Sequence, residues 1–259
     1  QTLVDMLNRG IHPIIPEKGS VGASGDLAPL AYMALPLMGR GWVVFQGSIM
    51  EGNKALKKSK INPVKFSFKE GLALINGTCV MTAIGVLALL KAERLVELAD
   101  MAGAMSLEAA LGTPVAFDQN VQKVRAYRGQ RKSADNLVNL TQKSEIREFH
   151  KACPKVQDPY SFRCMPQVHG AVRDSISHVR SILEIEVNSA TDNPLVFPDR
   201  NCVISAGNFH GEPVALVMDF LSMAISELAN ISERRIANLI NPEISGLPAF
   251  LIEEAGVNS

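Results

Sequence analysis

The stretch Lys18-Gly19-Ser20-Val21-Gly22-Ala23-Ser24-Gly25-Asp26-Leu27-Ala28-Pro29 sets three glycines and two serines beside one aspartate, then returns to an apolar run. So many small residues suit three kinds of chemistry: a phosphate-cradling loop, a serine nucleophile on a tight turn, or a backbone that itself reacts. The phosphate reading is poorly served. A Walker-type loop ends in Gly-Lys-Ser/Thr, so that a lysine and a hydroxyl reach phosphate and magnesium. Here Lys18 precedes the glycines, and Asp26 would repel an anion. The dinucleotide pattern lacks its opening Gly-x-Gly. A nucleophile elbow needs Gly-x-Ser-x-Gly, but Gly22-Ala23-Ser24-Gly25-Asp26 ends in aspartate. Beside these stands a plain reading, a Gly/Ser turn with Asp26 as the N-cap of the next helix.

Other polar residues sit where a mere connector would not need them. Asn76 interrupts an apolar run. Gln157-Asp158-Pro159-Tyr160-Ser161-Phe162-Arg163 gathers an amide, a phenol and a guanidinium in one short link. Ala190-Thr191-Asp192-Asn193-Pro194 and Gly207-Asn208-Phe209-His210-Gly211 are compact and turn-like. Each has a structural reading: Asn76 as a helix cap, Arg163 in an ion pair, Asn193-Pro194 as a turn start, Phe209 as core. His210, like His169 and His178, reads as a satisfied buried histidine. The chemical reading is that Arg163, with amides around it, receives a carboxylate, since guanidinium offers two parallel charge-assisted bonds. No Asp/Glu pair lies beside Arg163 to act as acid and base. The residues alone therefore lead to a small carboxylate bound near a reactive loop.

The elements that must position these groups are long helices. The chain has 259 residues, of which 47% are hydrophobic and only 5% aromatic, so the core is aliphatic and rich in helix formers. Equal numbers of acidic and basic residues argue against a general nucleic-acid binder, which needs a basic face. The basic clusters Lys54–Lys60 and Arg125–Lys132 read as solvated surface. Cys79, Cys153, Cys164 and Cys202 form no C-x-x-C pair and make no zinc spacing with the histidines, so no metal site is expected. Reduced thiols in a cytosolic protein follow. Residues 71–90 carry no charge, but Asn76-Gly77-Thr78 breaks the run and leaves too short a stretch to cross a membrane. Helices are expected over 27–39, 76–111, 133–151, 167–189 and 212–239. Trp42–Phe45 reads as a strand, and Leu195–Phe197 with Val203–Ser205 as a hairpin. Helices this rich in small residues pack closely on more than one side, which suggests a bundle shared between subunits.

Four of these segments, in order along the chain, resemble the signatures of the aromatic amino-acid ammonia-lyases. They are Gly22 to Pro29; Gln157 to Cys164 with Pro166-Gln167-Val168-His169-Gly170; Ala190 to Leu195; and Gly207 to Gly211. The resemblance implies a mainly α fold, a long-helix bundle of the ammonia-lyase/fumarase-like type with small β-hairpins. It implies that Ala23-Ser24-Gly25 cyclises. The glycine nitrogen attacks the alanine carbonyl with loss of one water, and the serine loses its hydroxyl as a second water to become the exocyclic methylene of a methylidene-imidazolone, with no external cofactor. Backbone atoms must be pressed together for this, and only small side chains tolerate such a turn.

By the same resemblance Arg163 grips the substrate carboxylate with help from Asn193. Asn76 and Gln157 hydrogen-bond the prosthetic group or substrate. Tyr160 lies beside the methylidene and relays protons, Phe209 packs against the ring system, and Asp26 assists cyclisation. The family's catalytic base is a tyrosine on a loop before the Ala-Ser-Gly turn, a region this sequence does not include. The chain is expected to be a central fragment, residues 1–259 forming the prosthetic-group loop and helical bundle of a longer cytoplasmic homotetramer with shared active sites. The implied reaction is non-oxidative deamination, with the motif wording favouring L-histidine, which gives urocanate and ammonia. Tyrosine or phenylalanine lyases, aminomutases, and a non-catalytic helical core are the alternatives.

Overall fold

The computed structural model describes residues 1–150, 155–253 and 256. The chain divides into two compact units, one of Gln1–Gly85 with Leu183–Ala215, the other of Val86–Ile182 with the chain from Leu216 onward.

In the first unit a three-stranded antiparallel sheet is ordered His12–Pro13, Trp42–Phe45, Ser48–Glu51. Trp42–Phe45 is a strand as expected, and its side chains alternate: Val43 and Phe45 are buried while Trp42 and Val44 are exposed. Gln46 and Gly47, with φ of 50° and 75°, make the tight hairpin turn that the right-handed twist of the strands favours. Val43 and Phe45 pack with Met6, Ile11, Leu37, Ala55, Leu56 and Ile61 into one core. The expected helix over 27–39 is an α-helix, Leu27–Ala34, tightening into the 3-10 turn Leu35–Met38 and stopped by Gly39 in the left-handed region (φ 73°). The expected hairpin is present as Leu195–Phe197 paired with Cys202–Ile204.

Three long helices carry the second unit and run on past its bounds: Cys79–Ala109, Met165–Glu186 and Glu212–Leu239. Their limits lie within a few residues of expectation. Asn76 stays extended (φ −97°, ψ 129°), so the first of them begins at Cys79. The single helix expected over 133–151 is instead two. Arg128–Leu140 is followed by Lys143 at a positive φ of 58°, and Ser144 then caps Glu145–Phe149. Residues 151–154 lie outside the described residues.

Small residues do bring helices together here. A Cβ on Gly129 would stand 2.1 Å from the Gly170 carbonyl oxygen, and one on Gly170 would stand 2.3 Å from the Gln130 nitrogen. The core joins Ala104, Leu107, Phe117, Leu137, Phe162, Met165 and Ile231. Fully burying Phe117 and Phe162 contributes about 2–3 kcal/mol each. Glu212–Leu239 is the one described helix long and apolar enough to cross a membrane by length and composition. Yet Val214, Val217, Leu221, Leu228 and Ile231 form a buried stripe at helical spacing, as a core helix requires.

Candidate active site

The Ala-Ser-Gly turn is held by backbone. Ser24 and Gly25 both sit in the left-handed region, at φ of 56° and 81°, a costly place for a serine. The turn is clipped to Gly77: the Gly77 N–H donates to the Ser24 carbonyl (3.1 Å), and the Asp26 N–H donates to the Gly77 carbonyl (2.8 Å). A Cβ on Gly25 would lie 2.0 Å from the Gly77 oxygen, so no other residue fits between these strands of chain. Gly77, at φ of 123°, is compelled in the same way, because a Cβ there would lie 2.4 Å from Thr191 Oγ1. The two clip bonds flank Gly25 and leave its own nitrogen out. Among the described residues neither the Gly25 N–H, the Ala23 carbonyl nor the Ser24 hydroxyl takes part in a hydrogen bond. Ala23 is exposed and Ser24 half-buried.

Asp26 corrects the plain reading of this stretch. It stands at the N-terminus of Leu27–Ala34, but its side chain makes no cap bond there. Its buried carboxylate instead accepts from the Ser20 hydroxyl (2.9 Å) and from the Met81 N–H (2.8 Å) in the first turn of Cys79–Ala109. The aspartate thus complements the positive end of a helix far along the chain and ties the Ala-Ser-Gly loop to it.

Asn76 is buried and reads as no cap. Its amide donates to Asp192 Oδ1 and to the Asn193 carbonyl, both at 3.1 Å, while its Oδ1 is buried without a partner. Asp192 is further held by Lys69 and by the Asn193 N–H. Burial pushes the Asp192 carboxyl up, but Lys69, Asn76 and the Asn193 amide outweigh it and hold the group below the ordinary carboxylate value. Asn193 Oδ1 accepts from the Ala206 N–H (2.7 Å) and the Ser205 hydroxyl (3.4 Å), which anchors the hairpin and leaves the side-chain NH2 to donate elsewhere. The loop carrying Phe209 reaches the same region. Asn208 donates to the Ala190 carbonyl (3.2 Å), and a Cβ on Gly211 would lie 2.5 Å from Met81 Sδ. Phe209 is half-buried. His210 is exposed rather than buried, because its Nδ1 accepts from the Glu212 N–H at the start of a helix. The first unit therefore brings together Ala23, Ser24, Gly25, Asp26, Asn76, Asn193 and the Phe209 loop.

Gln157, Tyr160 and Arg163 lie in the second unit. Asp158 turns its buried carboxylate to the Thr113 N–H (2.7 Å). The Pro159 carbonyl then closes a single helical turn, Tyr160–Arg163, accepting from the Phe162 and Arg163 N–H groups. Tyr160 is 72% exposed, and the Arg163 guanidinium carbon lies 4.6 Å from the centre of its ring. Gln157 is exposed. No described carboxylate pairs with Arg163, and its Nε is buried without a partner. The ion-pair reading of Arg163 thus fails, and a partly buried cation remains open to an anion. Gln167 Oε1 is also buried and unpartnered, a polar atom that its place in the motif did not single out.

Sequence reasoning missed a buried network behind this turn. His169 Nδ1 lies 2.8 Å from Asp100 Oδ1, and Asp100 Oδ2 accepts from Arg173 (2.6 Å) and Asn136 (2.8 Å). Burial pushes the Asp100 carboxyl up, but His169, Asn136 and Arg173 together hold it below its ordinary value. Burial, partly opposed by Asp100, pushes the His169 imidazole down. The expectation that His169 is a satisfied buried histidine holds. The i, i+4 spacing of His169 and Arg173 was visible, but nothing in the sequence points to Asp100 as their partner.

A model of the aromatic amino acid lyase family matches residues 1–259. The chain is 55% identical over 259 residues to the histidine ammonia-lyase of Alkaliphilus metalliredigens, covering all of this chain and 51% of that one. The crystal structure of histidine ammonia-lyase from Trypanosoma cruzi superposes with a TM-score of 0.87 at 41% identity, covering 100% of this chain and 48% of that chain. Tyrosine aminomutase from Streptomyces globisporus superposes with a TM-score of 0.88 at 38% identity, covering 99% and 52%. The chain spans about half the length of the relatives it matches. With four motifs in order and the match running from end to end, the chain belongs to the aromatic amino acid lyase family.

Proposed function

We propose that this chain is the central catalytic segment of an enzyme that removes ammonia from L-histidine to give urocanate, using an electrophile closed from Ala23-Ser24-Gly25. The observation that carries the reading is the turn itself. Two glycine contacts hold Ser24 and Gly25 in the left-handed region, while the Gly25 N–H and the Ala23 carbonyl, the groups that must join, have no other described partner. The surroundings fit a methylidene-imidazolone. Asn76, next in sequence to the Gly77 that clips the turn, offers a buried, unpartnered Oδ1, and no side chain bulkier than glycine fits at position 25. That group supplies an electrophile that makes the substrate amine a better leaving group.

The remaining work falls to side chains. Asn76, fixed by Asp192 and the Asn193 carbonyl, orients the group and shields it from water. Arg163 receives the substrate carboxylate on its fork, with the Asn193 amide as a second donor. Tyr160, stacked against Arg163, holds a proton at its phenolic oxygen within the site. Gln157 hydrogen-bonds substrate, Phe209 packs its ring, and Asp26 holds the loop during closure.

The active enzyme is a cytoplasmic homotetramer in this reading. Ile84 and Leu87, and beyond the exposed Lys91 and Arg94 also Leu98, Met101 and Met105, are exposed apolar side chains on one stripe of Cys79–Ala109, with Met105 72% exposed, and another copy would cover them. The test is product formation by the full-length enzyme from histidine, tyrosine and phenylalanine. A near-ultraviolet absorbance rise with histidine alone is expected. A β-amino acid product, or turnover of tyrosine in preference to histidine, contradicts the assignment. Mixing full-length Ser24→Ala and Arg163→Ala subunits should restore part of the activity; no recovery after verified exchange contradicts shared sites.

A further inference from the structure

A helix of one turn, such as Tyr160–Arg163, does not hold its own geometry. What grips it from outside sets where Tyr160 and Arg163 stand. Phe162 fixes its depth, being buried in the core. Ser161, also buried, fixes its rotation through two contacts. The Ser161 hydroxyl accepts from Asn238 Nδ2 (2.8 Å), and the Ser161 carbonyl faces Arg235 Nη1 at 3.4 Å. Both donors lie on Glu212–Leu239, three residues apart on one helix face.

Arg235 is itself fixed, and it is only 2% exposed. Its Nη2 donates to the Ser232 hydroxyl (2.9 Å), and its Nη1 also meets His169 Nε2 at 3.4 Å. Guanidinium only donates, so Nε2 accepts and the imidazole proton sits on Nδ1, directed at Asp100. A buried guanidinium without a direct carboxylate is costly, but here Asp100 reaches Arg235 through the imidazole ring. This buried chain ends on Ser161, one of the two buried residues between the exposed Tyr160 and the partly buried Arg163.

We propose that Asn238 is a positioning residue of the substrate site, acting through Ser161, beside the buried Arg235, to set where Tyr160 and Arg163 present themselves. The inference rests on the reading that Arg163 receives the substrate carboxylate. It is tested on the full-length enzyme with two inhibitors: imidazolepropionate, which keeps the carboxylate and lacks the amine, and histamine, which keeps the amine and lacks the carboxylate. In Asn238→Ala the inhibition constant for imidazolepropionate should rise about fivefold, the scale of one lost hydrogen bond, while that for histamine stays nearly unchanged. Ser161→Ala removes the same bond from the other side, favours helix, and should give the same shift. The double variant should add nothing to either single variant. Should Asn238→Ala fail to fold, Ser161→Ala carries the test alone.

Equal weakening of both inhibitors would show a general structural role and overturn the proposal. If Arg163→Lys changes the ratio of the two constants while Asn238→Ala and Ser161→Ala do not, the positioning claim fails and the carboxylate reading stands. If Arg163→Lys leaves the ratio unchanged, the carboxylate reading fails and the positioning claim falls with it.

Discussion

Around Ser24 the chain is held by backbone hydrogen bonds and by glycines that admit no side chain, whereas around Arg163 it is held by buried charged and polar side chains from three long helices. The groups proposed to act differ in the same way. In the first region they are main-chain atoms, left free because the clip to Gly77 uses their neighbours. In the second they are side-chain ends, left without a partner because the turn directs its anchored residues, Ser161 and Phe162, inward. A backbone that must react needs steric compulsion, since no side chain can grip an amide nitrogen without occupying it. A guanidinium that must bind a carboxylate needs a rigid base and no anion of its own.

The largest effect should come from the first region. Ser24→Ala removes the only hydroxyl that can leave from the turn, and because that hydroxyl makes no described hydrogen bond the fold should not change. Activity of the full-length enzyme should fall by several orders of magnitude with an unaltered circular dichroism spectrum. Near-normal turnover would show that the turn is merely tight.

Next comes Arg163→Lys, which keeps the charge and loses the planar fork. Loss of the desolvated charge-assisted pair should lower kcat/KM by roughly 2–4 kcal/mol. A variant that turns over histidine as well as the parent would place the carboxylate receptor elsewhere.

The smallest effect belongs to the support behind Arg163. His169 is neutral in the folded state and its imidazole is pushed below its ordinary value of 6.5. As pH falls below that value the unfolded chain takes up a proton that the folded chain does not, so stability falls with falling pH. This single group contributes at most about 1.4 kcal/mol per pH unit. Thermal melts between neutral pH and the acid side of that value should show a steeper loss in the parent than in His169→Asn. Equal slopes would mean that the imidazole titrates as freely when folded as when unfolded.

The contrast between the regions also explains what was legible. The Ser24 loop could be read because its small residues stand together in one short stretch, with glycines at 22 and 25 flanking Ala23-Ser24. What could not be read is that Gly77 presses on Gly25 and Thr191 on Gly77, or that Asp26 caps Cys79–Ala109 instead of its own helix, because both depend on chain brought in from elsewhere. The long helices were legible from apolar spacing. The break at Lys143 was not, since a single lysine at positive φ leaves no mark on periodicity. Arg163 stood out by its company of Gln157 and Tyr160. Asp100, His169, Arg235 and Asn238 did not, because ordinary helical spacing hides residues that meet only across three helices.

The central claim is that Ala23-Ser24-Gly25 closes on itself, and mass spectrometry of the loop peptide from the full-length enzyme tests it most directly. The account predicts a peptide lighter than its sequence by two waters, with that deficit absent in Ser24→Ala. A loop peptide at its full sequence mass, taken from enzyme that deaminates histidine, would contradict it.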